Sequence, residues 1–198
     1  EIEDMTAMNI IERSEAAYSS PIVMVKKPDE ANRVCINFKT LNAITVFDPE
    51  PTVSADDILP KLAGSKFYSK FDFCKGYWAI PMAAESMDYT SFATLKGLQK
   101  FKVMPFGLVN AGSTYNRMMR KLLDGMSDID NYIDDVLTHT SDWERHLVAL
   151  KDFFSRVKKA NLSLKPSKCQ LGYDKVEFLG YTITGDSVEP KPSKILQI

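Results

Sequence analysis

Histidine and cysteine are scarce in this 198-residue chain, with two and three copies. Cys35, Cys74 and Cys169 are odd in number, far apart and include no CxxC pair. That argues against a disulfide framework and a structural zinc site, and it fits a reducing intracellular compartment. With only His139 and His146 available, no nucleophile–base pair for covalent catalysis is recognisable. No apolar run reaches the ~18–20 residues that cross a bilayer. No basic n-region of a signal peptide opens the chain, because Glu1, Glu3 and Asp4 stand there. The first residue is Glu rather than Met, so the chain reads as a piece of a longer one. An excess of either charge is also lacking: 25 Lys and Arg against 26 Asp and Glu leave a net charge of −1, which gives no general affinity for a polyanion.

The distribution of charge says more than its sum. The first 20 residues are acidic, with Glu1, Glu3, Asp4, Glu12 and Glu15 against Arg13. Lys26, Lys27, Arg33 and Lys39 follow, and Lys151, Arg156, Lys158, Lys159, Lys165 and Lys168 form a second basic stretch. A groove that tracks a phosphate backbone needs such local positive charge; solvated lysines are the plainer reading of any one of them.

Apolar spacing predicts the elements. Ile2, Met5 and Met8 predict a helix within residues 2–12. Ile22–Val25 and Val34–Phe38 predict two strands around a polar turn, and residues 48–53 a proline-stiffened connector. Ser54 with Asp57 predicts a capped helix to about Ala63. Phe67–Phe73 alternates as a strand, and residues 76–82, 90–94 and 101–104 predict further extended pieces. A helix is expected over Leu108–Leu123. Ile129–Ile133 and Val136–Thr138 predict a tight hairpin around Asp134-Asp135. Ser141–Glu144 reads as a capping box opening a helix with Trp143, Leu147, Leu150, Phe153, Phe154 and Val157 on one face. A short strand at Leu162–Leu164 and a pair at Val176–Leu179 and Tyr181–Thr184 complete the pattern.

Residues 67–164 thus give a ferredoxin-like βαββαβ order, a fold shared by many functions. In that topology the first and third strands are central neighbours, so Asp72 meets Asp134 and Asp135 at one sheet end. Three crowded carboxylates repel unless a cation lies among them. Magnesium suits them, because it takes oxygen ligands and keeps waters and substrate phosphates. Two such ions ~3.5–4 Å apart clamp the attacking and leaving oxygens of a phosphoryl transfer, a reaction that positioning and charge stabilisation largely drive.

Six motifs then stand in one order. Tyr132-Ile133-Asp134-Asp135 matches the Tyr-x-Asp-Asp box of reverse transcriptases. Phe71-Asp72-Phe73-Cys74-Lys75-Gly76-Tyr77-Trp78 looks like the first palm motif, and Val103-Met104-Pro105-Phe106-Gly107-Leu108 resembles the Met-Pro-Phe-Gly segment. Ser20–Lys27 with Arg33–Asn42 is similar to the fingers, and Leu164–Cys169 and Phe178–Tyr181 close the series. The chain most resembles the polymerase of gypsy-type LTR retrotransposons.

The resemblance implies an α+β polymerase palm with a ferredoxin-like βαββαβ core and an inserted fingers subdomain. It places the fingers at 1–46 and 80–110, the palm at 47–79 and 111–185, and the start of a thumb or linker at 186–198, with thumb, connection and ribonuclease H beyond. It implies that Asp72, Asp134 and Asp135 bind two Mg2+ ions, or Mn2+ as a substitute, with a carbonyl near Phe73 beside them. Tyr77 would exclude a 2′-hydroxyl. Lys26, Lys27 and Arg33 would hold the triphosphate, and Phe106 and Gly107 would line the nucleotide pocket. Lys168 would protonate pyrophosphate, and Phe178, Leu179, Gly180 and Tyr181 would grip the primer. The implied activity adds dNTPs to a primer on an RNA or DNA template, in a cytoplasmic virus-like particle, a reverse-transcription complex or the nucleus. Asn32, Asn37, Lys39, Lys75 and Gly112 depart from the family pattern without removing a metal ligand. Two other functions compete: a catalytically silent retroelement remnant that binds nucleic acid, and an RNA-recognition motif. The second lacks its aromatic signature and leaves unexplained the ~35 residues between first strand and helix.

Overall fold

The computed structural model describes residues 1–26, 32–51 and 53–191, with the side chains of Asn32 and Arg33 outside that description. In chain order the elements are α1 (Ile2–Ala7), β1 (Ile11–Arg13), β2 (Ile22–Lys26), β3 (Asn32–Ile36), α2 (Lys39–Ile44), α3 (Ala55–Ile58), β4 (Phe67–Asp72), α4 (Ala84–Met87), β5 (Phe92–Thr94) and β6 (Gly97–Phe101). They continue with α5 (Ala111–Leu123), β7 (Ile129–Tyr132), β8 (Asp135–Thr140), α6 (Trp143–Lys159), β9 (Gln170–Tyr173), β10 (Lys175–Phe178), β11 (Tyr181–Thr184) and β12 (Val188–Pro190). The chain divides into two compact units, Glu1–Pro49 with Tyr77–Tyr115, and Glu50–Gly76 with Asn116–Ile198. Among the described residues no helix is long and apolar enough to cross a membrane.

The first unit contains a three-stranded sheet in the order β1-β6-β5 and the hairpin β2–β3. Met5, Ile11, Phe38, Phe92 and Phe101 are buried together, with Trp78 and Leu108 against them. The acidic N-terminal stretch is answered in part within this unit: Lys96 pairs with Glu3, and Lys100 and Lys102 lie near Glu12, with Lys100 also on Asp88. Asn9, at φ 58°, ends the α1 segment, so Ile11 and Glu12, expected to be helical, instead pair with β6 together with Arg13. The expected extended piece at 76–82 begins as a 3-10 turn, Gly76–Ala79. The strand expected at 101–104 is centred earlier, at Gly97–Phe101. The helix expected from Leu108 starts at Ala111, because the Asn42 side chain takes the preceding backbone. Its Nδ2 donates to the Gly107 carbonyl at 2.8 Å, and its Oδ1 accepts from Val109 N at 2.9 Å.

The second unit is built on a four-stranded sheet in the order β7-β8-β4-β9, with every adjacent pair antiparallel. One face is covered by α6, where Phe71 lies 4.4 Å from the Phe153 ring centre. The other face shares a core of Ile58, Leu62, Tyr68, Leu137, Val176, Phe178 and Ile183 with α3 and the β10–β11 hairpin. Ser54 and Asp57 form a reciprocal capping box on α3.

Three expectations shift in this unit. Asp142, not Ser141, caps α6, accepting from Arg145 N at 3.0 Å. The buried stripe of α6 is His146, Ala149, Leu150, Phe153 and Val157, whereas Trp143, Leu147 and Phe154 are exposed; the sheet is reached by the side of the helix that carries the histidine. The fourth strand is β9, and the expected strand at 162–164 is reduced to a bridge between Leu164 and Phe73. Pro166 lacks the N–H that would continue a ladder there. Within β9, Gly172 sits at φ 68°, and an added Cβ there would lie 2.9 Å from the Trp143 ring, so the position favours glycine.

Candidate active site

The hydrophobic pattern fixes the register, and the register fixes the acids. Along β4, Phe71 and Ser69 are buried under α6 while Tyr68 enters the opposite core, so Asp72 leaves the sheet on the Tyr68 side. Asp72 is the direct partner of Asp135 on β8, and Tyr132 pairs with Asp135 across the hairpin. Ile133 and Asp134 form the two-residue loop, with Ile133 at φ 54°. A β-branched residue disfavours that conformation, which costs on the order of 1–3 kcal/mol. Asx-type or glycine residues would be the usual choice at that loop position.

Desolvation at the turn, then the neighbouring charges of Asp135 and Asp72, push the Asp134 carboxyl above its ordinary value. The residue remains exposed, so the desolvation is partial and the like charges mark how near the three acids lie. Two lysines answer that charge. Lys168 Nζ donates to Asp72 Oδ2 at 3.0 Å, and Lys70 Nζ is 2.9 Å from Asp135 Oδ1. Among the described residues no three His, Cys, Asp or Glu side chains gather around one point closely enough to hold a metal ion as they stand. The donor chemistry nonetheless fits a hard dication, since three carboxylates share one sheet end. Two of them are each paired with an ammonium group, Asp72 with Lys168 and Asp135 with Lys70.

Phe73 is buried with its ring near Phe153. Around it Cys74 N donates to Ser163 O at 2.7 Å and Lys165 N to Asp72 O at 2.9 Å, so the backbone just past the first acid is clamped. In the hairpin expected to grip a primer, Leu179 and Gly180 take φ 52° and 78°, as a type I′ turn requires. Phe178 is buried, while Tyr181 is partly buried against the same core.

The remaining candidates belong to the first unit. Tyr77 packs edge-on against Phe106 at 4.8 Å and near Tyr115 at 5.1 Å. Phe106 is half exposed. Gly107 has φ 94°, and a Cβ there would make only ordinary contacts with Phe38 and Ile36, so backbone conformation favours glycine at this position. Lys26 ends β2, exposed. Lys27 and the Arg33 side chain lie outside the described residues.

Two features escaped the sequence pattern. Lys70 touches the acid pair although nothing in its spacing announces it. Both histidines are structural in their contacts. His139 Nε2 lies 3.0 Å from Asp130 Oδ2 and its Nδ1 3.3 Å from Ser65 Oγ, while Lys61 holds Asp130 Oδ1 at 2.6 Å. This order imitates an acid–base–nucleophile chain, but Ser65 is buried and Lys61 engages the acid, so it works as a clasp.

Comparison with known proteins follows the same lines. A family model for reverse transcriptase (RNA-dependent DNA polymerase) matches residues 25–183. The retrovirus-related Pol polyprotein from transposon 297 of Drosophila melanogaster is 33% identical over 205 residues, covering 100% of this chain and 19% of that protein. The corresponding polyprotein from transposon opus of the same species is 31% identical, covering 100% and 20%. The chain therefore spans about a fifth of the length of these curated relatives. Among solved structures, the foamy viral protease-reverse transcriptase in complex with RNA/DNA hybrid matches with a TM-score of 0.90 at 24% identity, over 99% of this chain and 27% of that one. Its counterpart in complex with double-stranded DNA matches at 0.92 and 24%, over 100% and 35%. At that identity the likeness concerns the fold, a mixed helix-and-strand polymerase fold.

Proposed function

The chain belongs to the reverse transcriptase (RNA-dependent DNA polymerase) family, and from that premise we propose that it is the fingers-and-palm part of a polymerase that adds dNTPs to a primer 3′ end on an RNA or DNA template. The carrying observation is the pairing of Asp72 with Asp135 at the sheet end where Asp134 turns. The β7-β8-β4-β9 sheet with α5 and α6 is read as the ferredoxin-like core of the palm, at 47–79 and 111–185. The fingers are read at 1–46 and 80–110, and a thumb or linker from 186. Thumb, connection and ribonuclease H would come from the parent polyprotein, in a cytoplasmic virus-like particle or reverse-transcription complex, or in the nucleus.

Asp72 and Asp134 would be the principal holders of two Mg2+ ions, or Mn2+ in their place, with Asp135 and the Phe73 carbonyl alongside. When bound, such ions neutralise the phosphate charge that develops during transfer. The chain's own side chains would do the rest. Lys168, already at the acidic edge, would give a proton to the departing pyrophosphate. Phe178, Leu179, Gly180 and Tyr181 would steady the primer from a rigid turn. Tyr77, Phe106 and Gly107 would shape the nucleotide pocket and disfavour a 2′-hydroxyl, and Lys26, Lys27 and Arg33 would take the triphosphate as cations.

Primer extension tests this reading. Asp134→Asn keeps the shape and removes the charge, and it should lower incorporation by about a thousandfold or more, with a labelled primer–template still bound. Incorporation equal to wild type would refute it. Tight binding without incorporation by the unaltered chain, even after a thumb is restored, would favour a silent remnant.

A further inference from the structure

Lys70 stands two residues before Asp72 on β4, so it leaves the sheet on the same face. Its register partner, Leu137, lies two residues beyond Asp135. Its ammonium is 2.9 Å from Asp135 Oδ1, 3.4 Å from the Glu177 carbonyl oxygen and 5.9 Å from the centre of the Phe178 ring. One cation therefore touches the acidic edge and the β10 strand together. Its surroundings also hold it firmly: the Lys70 side chain is 24% exposed, against 56% for Lys168 on Asp72. An exposed pair such as Lys168–Asp72 contributes little and opens readily. A lysine held by a carboxylate, a carbonyl and an aromatic face has more to lose by leaving. Among the described residues, Asp134 has no such cation and feels the like charges of its two neighbours.

We propose that Lys70 is a positioning residue that holds the Asp135 carboxylate aside, toward the β10–β11 hairpin, so that Asp72 and Asp134 form the ion-facing pair. The inference rests on the metal reading given above and assigns the three acids unequal parts. It also agrees with the observation that, among the described residues, no three such side chains gather around one point. The lysine on Asp72 is the one a dication displaces, and the lysine on Asp135 stays.

Mn2+ binding to the full chain, followed by electron paramagnetic resonance without nucleic acid or dNTP, separates these parts. Asp72→Asn and Asp134→Asn should each weaken binding about tenfold or more. Asp135→Asn should change it by no more than about twofold, because that carboxylate is already neutralised. Lys70→Met should tighten binding about three- to tenfold by freeing Asp135, and the double variant Lys70→Met with Asp135→Asn should return to the wild-type value. Lys70→Arg, which keeps the charge, should resemble wild type.

The proposal is overturned if Asp135→Asn weakens Mn2+ as much as Asp72→Asn does while Lys70 is present, or if Lys70→Met folds and leaves affinity unchanged. Should Lys70→Met fail to fold by circular dichroism, the contrast between Asp135→Asn and Asp72→Asn decides the matter alone. Binding indifferent to all three acids would instead overturn the metal reading itself, and this proposal with it.

Discussion

Alternate side chains of β4 live in two environments. Ser69 and Phe71 lie in a dry layer beneath α6, where Phe71 meets Phe153 and Phe154. Lys70 and Asp72, their immediate neighbours, face charge. On the dry side Ser69 and His146 are joined in one hydrogen-bonded chain, while the Thr138 hydroxyl beside Ser69 has no partner among the described residues. Gly172 N donates to Ser69 Oγ at 2.9 Å, and Ser69 lies 2.8 Å from His146 Nε2. His146 Nδ1 lies 2.9 Å from Thr140 Oγ1, which donates to Asp142 O at 3.0 Å. The donors run in one direction only if His146 is neutral with its proton on Nδ1. The charged side is only partly balanced, with three acids and two lysines at one end. The lesson is that the packed face sets the backbone so firmly that the other face can tolerate repulsion.

Swapping the two kinds of damage breaks this comparison most sharply. Asp72→Asn should abolish primer extension, by about a thousandfold or more, and shift stability by no more than about 0.5 kcal/mol, since its lysine partner is largely solvated. Phe71→Ala, one residue away, should cost about 3–5 kcal/mol in urea unfolding. If Asp72→Asn unfolds the chain, or Phe71→Ala leaves it intact, the faces are not divided as described.

A smaller effect probes the dry face by pH. Burial holds the His146 imidazole below its usual pKa, so the unfolded chain takes up its proton first. The stability it contributes is present above the unfolded value of about 6.5 and is lost as pH falls through the folded value. The melting temperature should therefore drop as pH is lowered from about 7 to 5, and His146→Asn should flatten that slope. Asp130 acts lower down. Desolvation raises its carboxyl, but the hydrogen bonds from His139 and Lys61 outweigh it and hold the group below its ordinary value. Its stabilisation is present above the unfolded value of about 3.9 and disappears as pH falls through the folded one.

The smallest effect concerns the charged face. Ile133→Gly removes a positive-φ strain, offset in part by the entropy glycine adds to the unfolded chain. A net gain of about 0.5–1 kcal/mol in unfolding free energy is expected, together with slower extension as the acids lose their fixed placement. Faster extension in that variant would mean that the strained turn does not help to place them.

Much of this was legible in the sequence because two periodicities carried it. Alternation in Phe67–Phe73 and the acid pair between two short apolar runs point to Asp72, Asp134 and Asp135 at one sheet end. Ser54 with Asp57 announced its cap by spacing alone. Other features depended on tertiary partners. Asn42 delays α5 through backbone groups 65 and 67 residues away. The buried stripe of α6 runs through His146 because Ser69 and Thr140 satisfy its ring, a polar exception that a hydrophobic pattern hides. β9 carries no strong strand pattern, since its residues are mostly exposed. Nothing in the spacing of Lys70 distinguishes it from a solvated lysine; its contacts with Asp135 and Phe178 are tertiary.

The most direct test of the account is anomalous scattering from Mn2+ in crystals of the chain with primer–template and dNTP. The account predicts manganese peaks between the carboxylates of Asp72 and Asp134, with Lys168 swung away from Asp72. Peaks elsewhere, or an ordered complex without manganese at that sheet end, would contradict it.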